Sequence, residues 1–213
     1  STGKTEPTSY SFFKGKTTVP LHLEERQSVF VVFRKNTIVT SRTVPVVKPI
    51  LLSTLTGPWE IDFQPAMGAP DKIEVESLES WTANTDEGIK YFSGTATYKK
   101  TFEAAKSWFI EGTSIILDLG KVCDLAEVLV NGKPAGILWN VPFRTDITGL
   151  LRKGPNDLEI KVTNEWTNRL AGDQKAAPEK KVLNSSLRVF GGRDLNDSGL
   201  LGPVKLLKYT DYQ

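Results

Sequence analysis

Leu125-Ala126-Glu127-Val128-Leu129-Val130-Asn131-Gly132-Lys133-Pro134-Ala135-Gly136-Ile137-Leu138-Trp139 is the stretch whose reading sets the fold class. Asn131-Gly132 is the strongest short hairpin signal. A type I′ turn needs φ > 0 at both central residues, and Asn and Gly tolerate that conformation. The flanking runs, 125–130 and 133–139, are strand-sized. The stretch therefore predicts two antiparallel strands joined by a two-residue loop.

The same grammar runs outward in both directions. Trp59, Ile61 and Phe63 alternate with Glu60 and Asp62, and Ile73 and Val75 alternate with Glu74 and Glu76. Gly94 to Phe102 places Ala96, Tyr98 and Phe102 on one side; Ser114 to Leu119 follows. Leu158, Ile160 and Val162 alternate with Glu159, Lys161 and Thr163, and Val204 to Tyr209 closes the series. Alternation with period two is the mark of half-buried strands. Gly154-Pro155-Asn156 reads as a further turn. Helical periodicity is nearly absent: 102–109 and 148–153 allow a turn or two each, and Gln174 to Lys181 reads as an exposed loop. Many short strands with regular turn signals predict an all-β sandwich.

Upstream, Val19, Leu21 and Leu23 alternate with polar neighbours. Ser28 to Arg34 (SVFVVFR) is β-branched and aromatic, and predicts a strand buried on both faces. Thr37 to Val47 is a weaker strand ending in prolines. A boundary near Pro49 to Gly57 divides the chain into a β segment, 1–50, and a main domain, 51–213. Three strands in fifty residues bury little on their own. The segment is expected either to pack beside the sandwich or to be the tail of a preceding domain.

Composition narrows the function. The 213 residues are too few for a (β/α)₈ barrel, which takes about 250. At 39% hydrophobic and 24% charged the chain is globular in type. No apolar run approaches the ~20 residues that cross a bilayer. The balance of 27 basic against 25 acidic residues predicts no nucleic-acid or acidic-membrane partner. Cys123 and His22 are single, which excludes an internal disulfide, a cysteine-based zinc site and a His-rich metal centre. No cofactor or metal is expected. Ser1 is followed by no charged-then-apolar leader, so the chain is expected to be processed or cut from something longer.

No catalytic residue stands out. Glu74 and Glu76 would share a strand face about 7 Å apart, nominally the spacing of an inverting glycosidase pair. Surface strands offer such pairs routinely, and nothing nearby would raise one pKa. His22 lies near no Gly-x-Ser-x-Gly elbow, and Cys123 sits in a strand-like run. Gly191-Gly192 lacks the context of a phosphate loop.

The five tryptophans are more informative. Trp59 and Trp108 read as core or inter-strand packing. Trp81, Trp139 and Trp166 stand at strand ends beside Asn84, Asn140, Arg144, Asn168, Arg169 and Asp173. An indole can cover the apolar face of a sugar while such polar groups bond its hydroxyls. Covering about 100 Å² contributes about 2.5 kcal/mol, and millimolar binding needs about 4.1 kcal/mol. Two indoles must therefore converge. Trp81, Trp139, Asn140, Arg144, Trp166, Asn168, Arg169 and Asp173 form the candidate carbohydrate-binding set. The competing reading is packing, with an internal Arg–Asp pair pinning the loop that starts at Gly172.

Leu119 to Asp173 resembles the galactose-binding-like, sugar-binding-type jelly roll of family 2 glycoside hydrolases. The resemblance rests on Leu119-Gly120-Lys121-Val122, Val130-Asn131-Gly132, Pro142-Phe143, Asp146-Ile147-Thr148 and Val162-Thr163-Asn164. Trp166-Thr167-Asn168-Arg169-Leu170-Ala171-Gly172-Asp173, Ser198 to Val204 and the SVFVVFR run extend it. With these the chain resembles the C-terminal end of glycoside hydrolase family 106, the α-L-rhamnosidase-like proteins. The resemblance implies a jelly-roll sandwich with a short N-terminal β segment, and a non-catalytic accessory role. It implies two partners, a plant or microbial carbohydrate or the catalytic domain of a parent enzyme, and a periplasmic or secreted location. The family's catalytic glutamates lie on a barrel and have no matching positions here. A free-standing carbohydrate-binding protein and a structural sandwich without ligand are the other readings.

Overall fold

The computed structural model describes residues 5–23, 28–45, 47–183, 185 and 194–210. Asn184, Ser186 and the Gly191-Gly192 pair lie outside the described residues, as does Val46 in the weak third run. Three short strands come first: β1 (Tyr10–Phe13), β2 (Lys16–Thr18) and β3 (Ser41–Arg42). The sandwich starts with β4 (Ile50–Thr54), β5 (Trp59–Phe63) and β6 (Lys72–Val75). A one-turn helix α1 (Glu87–Lys90) precedes β7 (Thr95–Ala104), β8 (Thr113–Asp118) and β9 (Lys121–Cys123). Then come β10 (Leu125–Val130), β11 (Lys133–Leu138), β12 (Arg144–Asp146), β13 (Gly154–Thr163), helix α2 (Thr167–Lys175), β14 (Gly199–Gly202) and β15 (Lys205–Thr210).

A six-stranded sheet, β11-β10-β13-β7-β5-β6, packs on a four-stranded one, β12-β8-β15-β4. A two-stranded β14-β9 ladder sits beside them. All of these strand pairings are antiparallel. This is the antiparallel β-sandwich that the strand pattern predicts. The alternation read from the sequence becomes its inner face. Trp59, Ile61 and Phe63, Ala96 and Tyr98, Val128 and Val130, and Leu158, Ile160 and Val162 are buried in one core with Ile115, Leu117 and Leu206. The polar residues between them point outward, where Lys72 and Lys99 pair with Glu60 and Asp62. Such exposed pairs contribute at most about 1 kcal/mol, so the fold rests on the apolar face.

The hairpin forms as expected, with Asn131 at φ 51° and Gly132 at φ 73°. Asn131 also reaches sideways: its Nδ2 donates to the Leu150 carbonyl at 2.9 Å and to Asn156 Oδ1 at 2.8 Å. Gly154-Pro155-Asn156 is not a hairpin turn but the start of β13. Asn156 is buried and closes the turn ahead of that strand, donating to the carbonyls of Arg152 and Gly154 at 2.8 Å.

Two further sequence expectations fail. Val29 to Phe33 forms no strand and every residue is exposed, Phe30 at 94%. Residues 21–23 are likewise exposed and irregular, and of 37–47 only β3 is extended into a ladder. No described residue before Leu55 is buried. The apolar pattern is real, but nothing among the described residues covers it, so strand propensity has nothing to act against. Second, the loop that the sequence places from Gly172 onward begins later, because helix α2 runs through Lys175. Its buried residues are Asn168, Arg169, Gly172 and Asp173, mostly polar, so no apolar helical stripe announces it.

Candidate functional site

Ser80 caps a single 3₁₀ turn, Trp81–Ala83, that carries Trp81 into the core. The indole is 4% exposed. It meets Phe63 and Phe92 edge-to-face at 5.7 and 5.1 Å and stacks on Tyr98 at 6.4 Å. Those are ordinary aromatic packing geometries. Its N–H lies against the Tyr98 hydroxyl without the geometry of a full hydrogen bond. The Tyr98 hydroxyl accepts from the Leu200 N–H at 3.0 Å. Burial pushes the Tyr98 phenol well above its ordinary range, outweighing the Leu200 N–H and the indole, which favour the phenolate. Gly199, at φ +95°, lets the chain pass; a Cβ there would come within 2.6 Å of the Trp81 ring and the Tyr98 oxygen.

Asn168, Arg169 and Asp173 lie on α2 and face inward. Asn168 Nδ2 donates to the Asn196 carbonyl at 2.7 Å and to Ser198 Oγ at 2.9 Å, and its Oδ1 accepts from the Asn196 N–H at 2.9 Å. Asn164 joins them, donating to Ser198 Oγ at 3.2 Å and to the Phe92 carbonyl at 2.9 Å. Arg169 and Asp173 form an i,i+4 ion pair at 3.2 Å, with side chains 6% and 8% exposed. The Asp173 carboxylate accepts from the backbone N–H groups of Val182 and Leu183 at 3.0 and 2.9 Å. This is the internal Arg–Asp arrangement weighed against a sugar site. As placed, Asn168, Arg169 and Asp173 are taken up by the α2 network, and Trp81 packs into the aromatic core instead of standing at a surface loop.

The other four residues lie at the surface. Trp139 is 73% exposed and Trp166 49%. Leu138 is opposite Ala126, and Thr163 opposite Leu125, on the two sides of β10. Trp139 and Trp166 therefore leave the same end of the six-stranded sheet, on strands roughly 10 Å apart at two ~4.8 Å spacings. Leu125 between them is exposed too. Asn140 follows Trp139 and is exposed, its amide donating to the Val141 carbonyl at 3.4 Å. Arg144 opens β12 and binds Asp118 at 2.7 Å. Two exposed indoles at one end of the sheet, with Asn140 next in sequence to Trp139, are a surface that can stack on a sugar ring.

The cleft that sequence reasoning missed lies elsewhere. It has a volume of about 410 Å³ and lies at β6, the edge strand of the six-stranded sheet. Its wall is formed by Ile73, Val75, Trp81 and Tyr98 together with Glu76 and Glu79. The size falls within the usual range of ligand clefts, about 300–1,000 Å³. Nearly all of its lining comes from residues 73–89, with Ile61 of β5 and Tyr98 of β7 added from the neighbouring strands. Glu76 enters this wall just beyond β6, its carbonyl so close to Gly57 that a Cβ there would stand 2.1 Å away. Glu74 remains on the exposed outer side. Burial raises the Cys123 thiol, the opposite of what a nucleophile needs. His22 is exposed on the N-terminal segment. Among the described residues no group of three His, Cys, Asp or Glu side chains could hold a metal ion, and no helix is long and apolar enough to cross a membrane.

Comparison with known proteins agrees with this architecture. The model of the glycosyl hydrolase 2 galactose-binding domain-like family matches residues 73–193. A curated relative from Formosa agariphila, named "Putative beta-glucuronidase", is 41% identical over 191 residues, 78% of this chain and 16% of that protein. The solved rhamnosidase from Novosphingobium sp. PP1Y is 44% identical with a TM-score of 0.85, covering 97% of this chain and 20% of that one. A β-D-glucuronidase from Dictyoglomus thermophilum, 24% identical with a TM-score of 0.52 over 78% of this chain and 28% of its own, shares the fold. The chain thus spans a fifth or less of the Formosa relative and of the Novosphingobium rhamnosidase. It belongs to the glycosyl hydrolase 2 galactose-binding-like domain family.

Proposed function

We propose that the chain is a non-catalytic accessory domain of an α-L-rhamnosidase-type enzyme of glycoside hydrolase family 106. One observation carries the reading: 97% of the chain, the N-terminal segment included, follows the path of one fifth of a solved rhamnosidase at 44% identity. The lack of a barrel and of a credible acid/base pair supports a bracing role, with hydrolysis done elsewhere in the parent polypeptide. In keeping with the family, the enzyme works in the periplasm or outside the cell. A carbohydrate contact, where one exists, uses the exposed Trp139 and Trp166 with Asn140 and Arg144.

The test is an assay of the longest polypeptide that encloses this chain, beside the chain alone, on aryl α-L-rhamnoside and aryl β-glucuronide. Turnover of the rhamnoside by the long polypeptide only is the expected result. Turnover of the glucuronide instead favours a second reading, a glucuronidase-type parent, which the name of the Formosa relative supports. Turnover by the chain alone, abolished by Glu74→Gln or Glu76→Gln, overturns the non-catalytic role. Calorimetry with rhamnose oligosaccharides tests the contact. Binding by the wild type that Trp139→Ala and Trp166→Ala both leave unchanged removes it from that surface.

A further inference from the structure

We propose that the described residues of the N-terminal segment, 5–23 and 28–45, form a docking strap that seats on another module of the same polypeptide, on an apolar face bordered by acidic side chains. The proposal rests on the reading of the chain as one domain of a longer enzyme. The strap is built, not loose. β1 pairs with β2 on one side and β3 on the other. Tyr10 Oη donates to the Val39 carbonyl at 3.1 Å, and the Val44 N–H donates to Ser9 Oγ at 2.9 Å. Yet this ladder encloses nothing: Phe13, Phe30, Phe33 and Ile38 are 71%, 94%, 75% and 99% exposed. Isolated exposed apolar residues are normal, but a contiguous series of large ones marks an interaction surface.

Two observations choose the occupant. The strap's path belongs to a fold found within a rhamnosidase chain of which this domain covers only 20%, so most of such a polypeptide lies outside this domain and can supply the covering face. Charge gives that face its chemistry. Residues 1–50 hold eight Lys and Arg against three Glu, while the rest of the chain holds 19 basic against 22 acidic residues. Lys14, Lys16, Arg34, Lys35 and Arg42 flank the exposed phenylalanines in sequence. A surface that buries those rings meets these cations at its border, and like charge there opposes docking. The domain's own sandwich, though acidic on balance, leaves the strap uncovered.

Hydrogen–deuterium exchange decides it, run on this chain alone and within the longest polypeptide that encloses it. Docking slows exchange of amides in 10–18 and 37–45 by about tenfold or more in the long polypeptide. The pair Phe30→Ser, Phe33→Ser removes that protection at any salt concentration. The pair Arg34→Glu, Lys35→Glu reduces it most at low salt, because screening hides charge. Equal exchange in both polypeptides overturns the proposal, even where the long one hydrolyses rhamnosides and the domain assignment stands. Protection in an inactive long polypeptide keeps the strap and removes the rhamnosidase reading. Protection of the chain alone that rises with its concentration assigns the face to a second copy and overturns the proposal. Charge reversal without effect refutes the acidic border.

Discussion

Val29 to Phe33 and Leu158 to Val162 are both rich in β-branched and large apolar residues, yet one is exposed throughout and the other supplies Leu158, Ile160 and Val162 to the core. The difference lies in what each run meets. Leu158 to Val162 sits between β10 and β7, with a ladder on both edges and the second sheet across its inner face. Val29 to Phe33 meets no partner strand and no opposing layer among the described residues. Hydrophobicity states that a residue would gain from leaving water, about 1.5–3 kcal/mol for a fully buried Val, Leu or Phe. It does not state where the covering surface is. Within one chain the two runs show the same chemical demand met and unmet.

Substitutions can break this contrast, and the largest effect belongs to the sandwich. Trp81→Ala removes a ring packed on Phe63, Phe92 and Tyr98 and should cost about 3–5 kcal/mol of unfolding free energy. Urea denaturation measures it; a loss below about 1 kcal/mol would mean that the aromatic cluster is not the centre of the core. Asn164→Ala should cost about 1–3 kcal/mol, because it leaves the Gly94 N–H and Phe92 carbonyl buried without their partner. Asn164→Asp, which keeps the acceptor and loses the donor, distinguishes the two halves of that loss.

Alkaline pH gives a smaller, graded effect. The Tyr98 phenol is raised in the folded state above its unfolded value of ~10. Below that value both states hold the proton and stability is at its full value. As pH rises beyond it, the unfolded state ionises first, and stability should fall by up to about 1.4 kcal/mol per pH unit until the folded pKa is reached. Tyr98→Phe should abolish this component of the slope while losing the bond to the Leu200 N–H. A slope unchanged by the substitution assigns it to other groups. The smallest effect is on the strap. Phe30→Ser should change the stability of the chain alone by no more than about 0.5 kcal/mol, as for an ordinary surface site. A loss above 1 kcal/mol would show that the strap folds onto its own sandwich in solution.

The sandwich was legible because its signals are local. The Asn131-Gly132 turn and the alternation of Trp59-Ile61-Phe63 each lie within a few residues, and each acts through backbone geometry or strand period alone. Helix α2 was not legible, because its inward face is Asn168, Arg169 and Asp173, held by Asn196, Ser198 and the backbone at Val182 and Leu183. Those partners are distant in sequence or on the far side of a loop, so polar side chains that belong inside read as a polar loop. The same limit governs the tryptophans. Trp81 and Trp139 have similar polar neighbours in sequence, and only the fold sends one into the core and the other to the rim. The cleft along β6 is lined mostly by residues 73–89, but it exists only because that stretch folds over Ile61 and Tyr98, two residues on other strands that the sequence reads simply as core.

The strand that opens the sandwich is paired with the strand that closes it: β4 lies against β15, Thr54 opposite Lys205 and Ile50 opposite Lys208. The Leu55 N–H extends that pairing to the Val204 carbonyl at 2.9 Å. On the ribosome, where the chain emerges from the N-terminal end, β4 therefore waits for nearly the whole domain to be made before its ladder exists. The six-stranded sheet draws on residues 59–163 alone, so it can assemble first. The strap is joined directly to β4, and it too hangs from an unpaired strand until translation passes Lys208. Synthesis thus leaves the strap's exposed phenylalanines free to meet a partner while the sandwich behind is still incomplete.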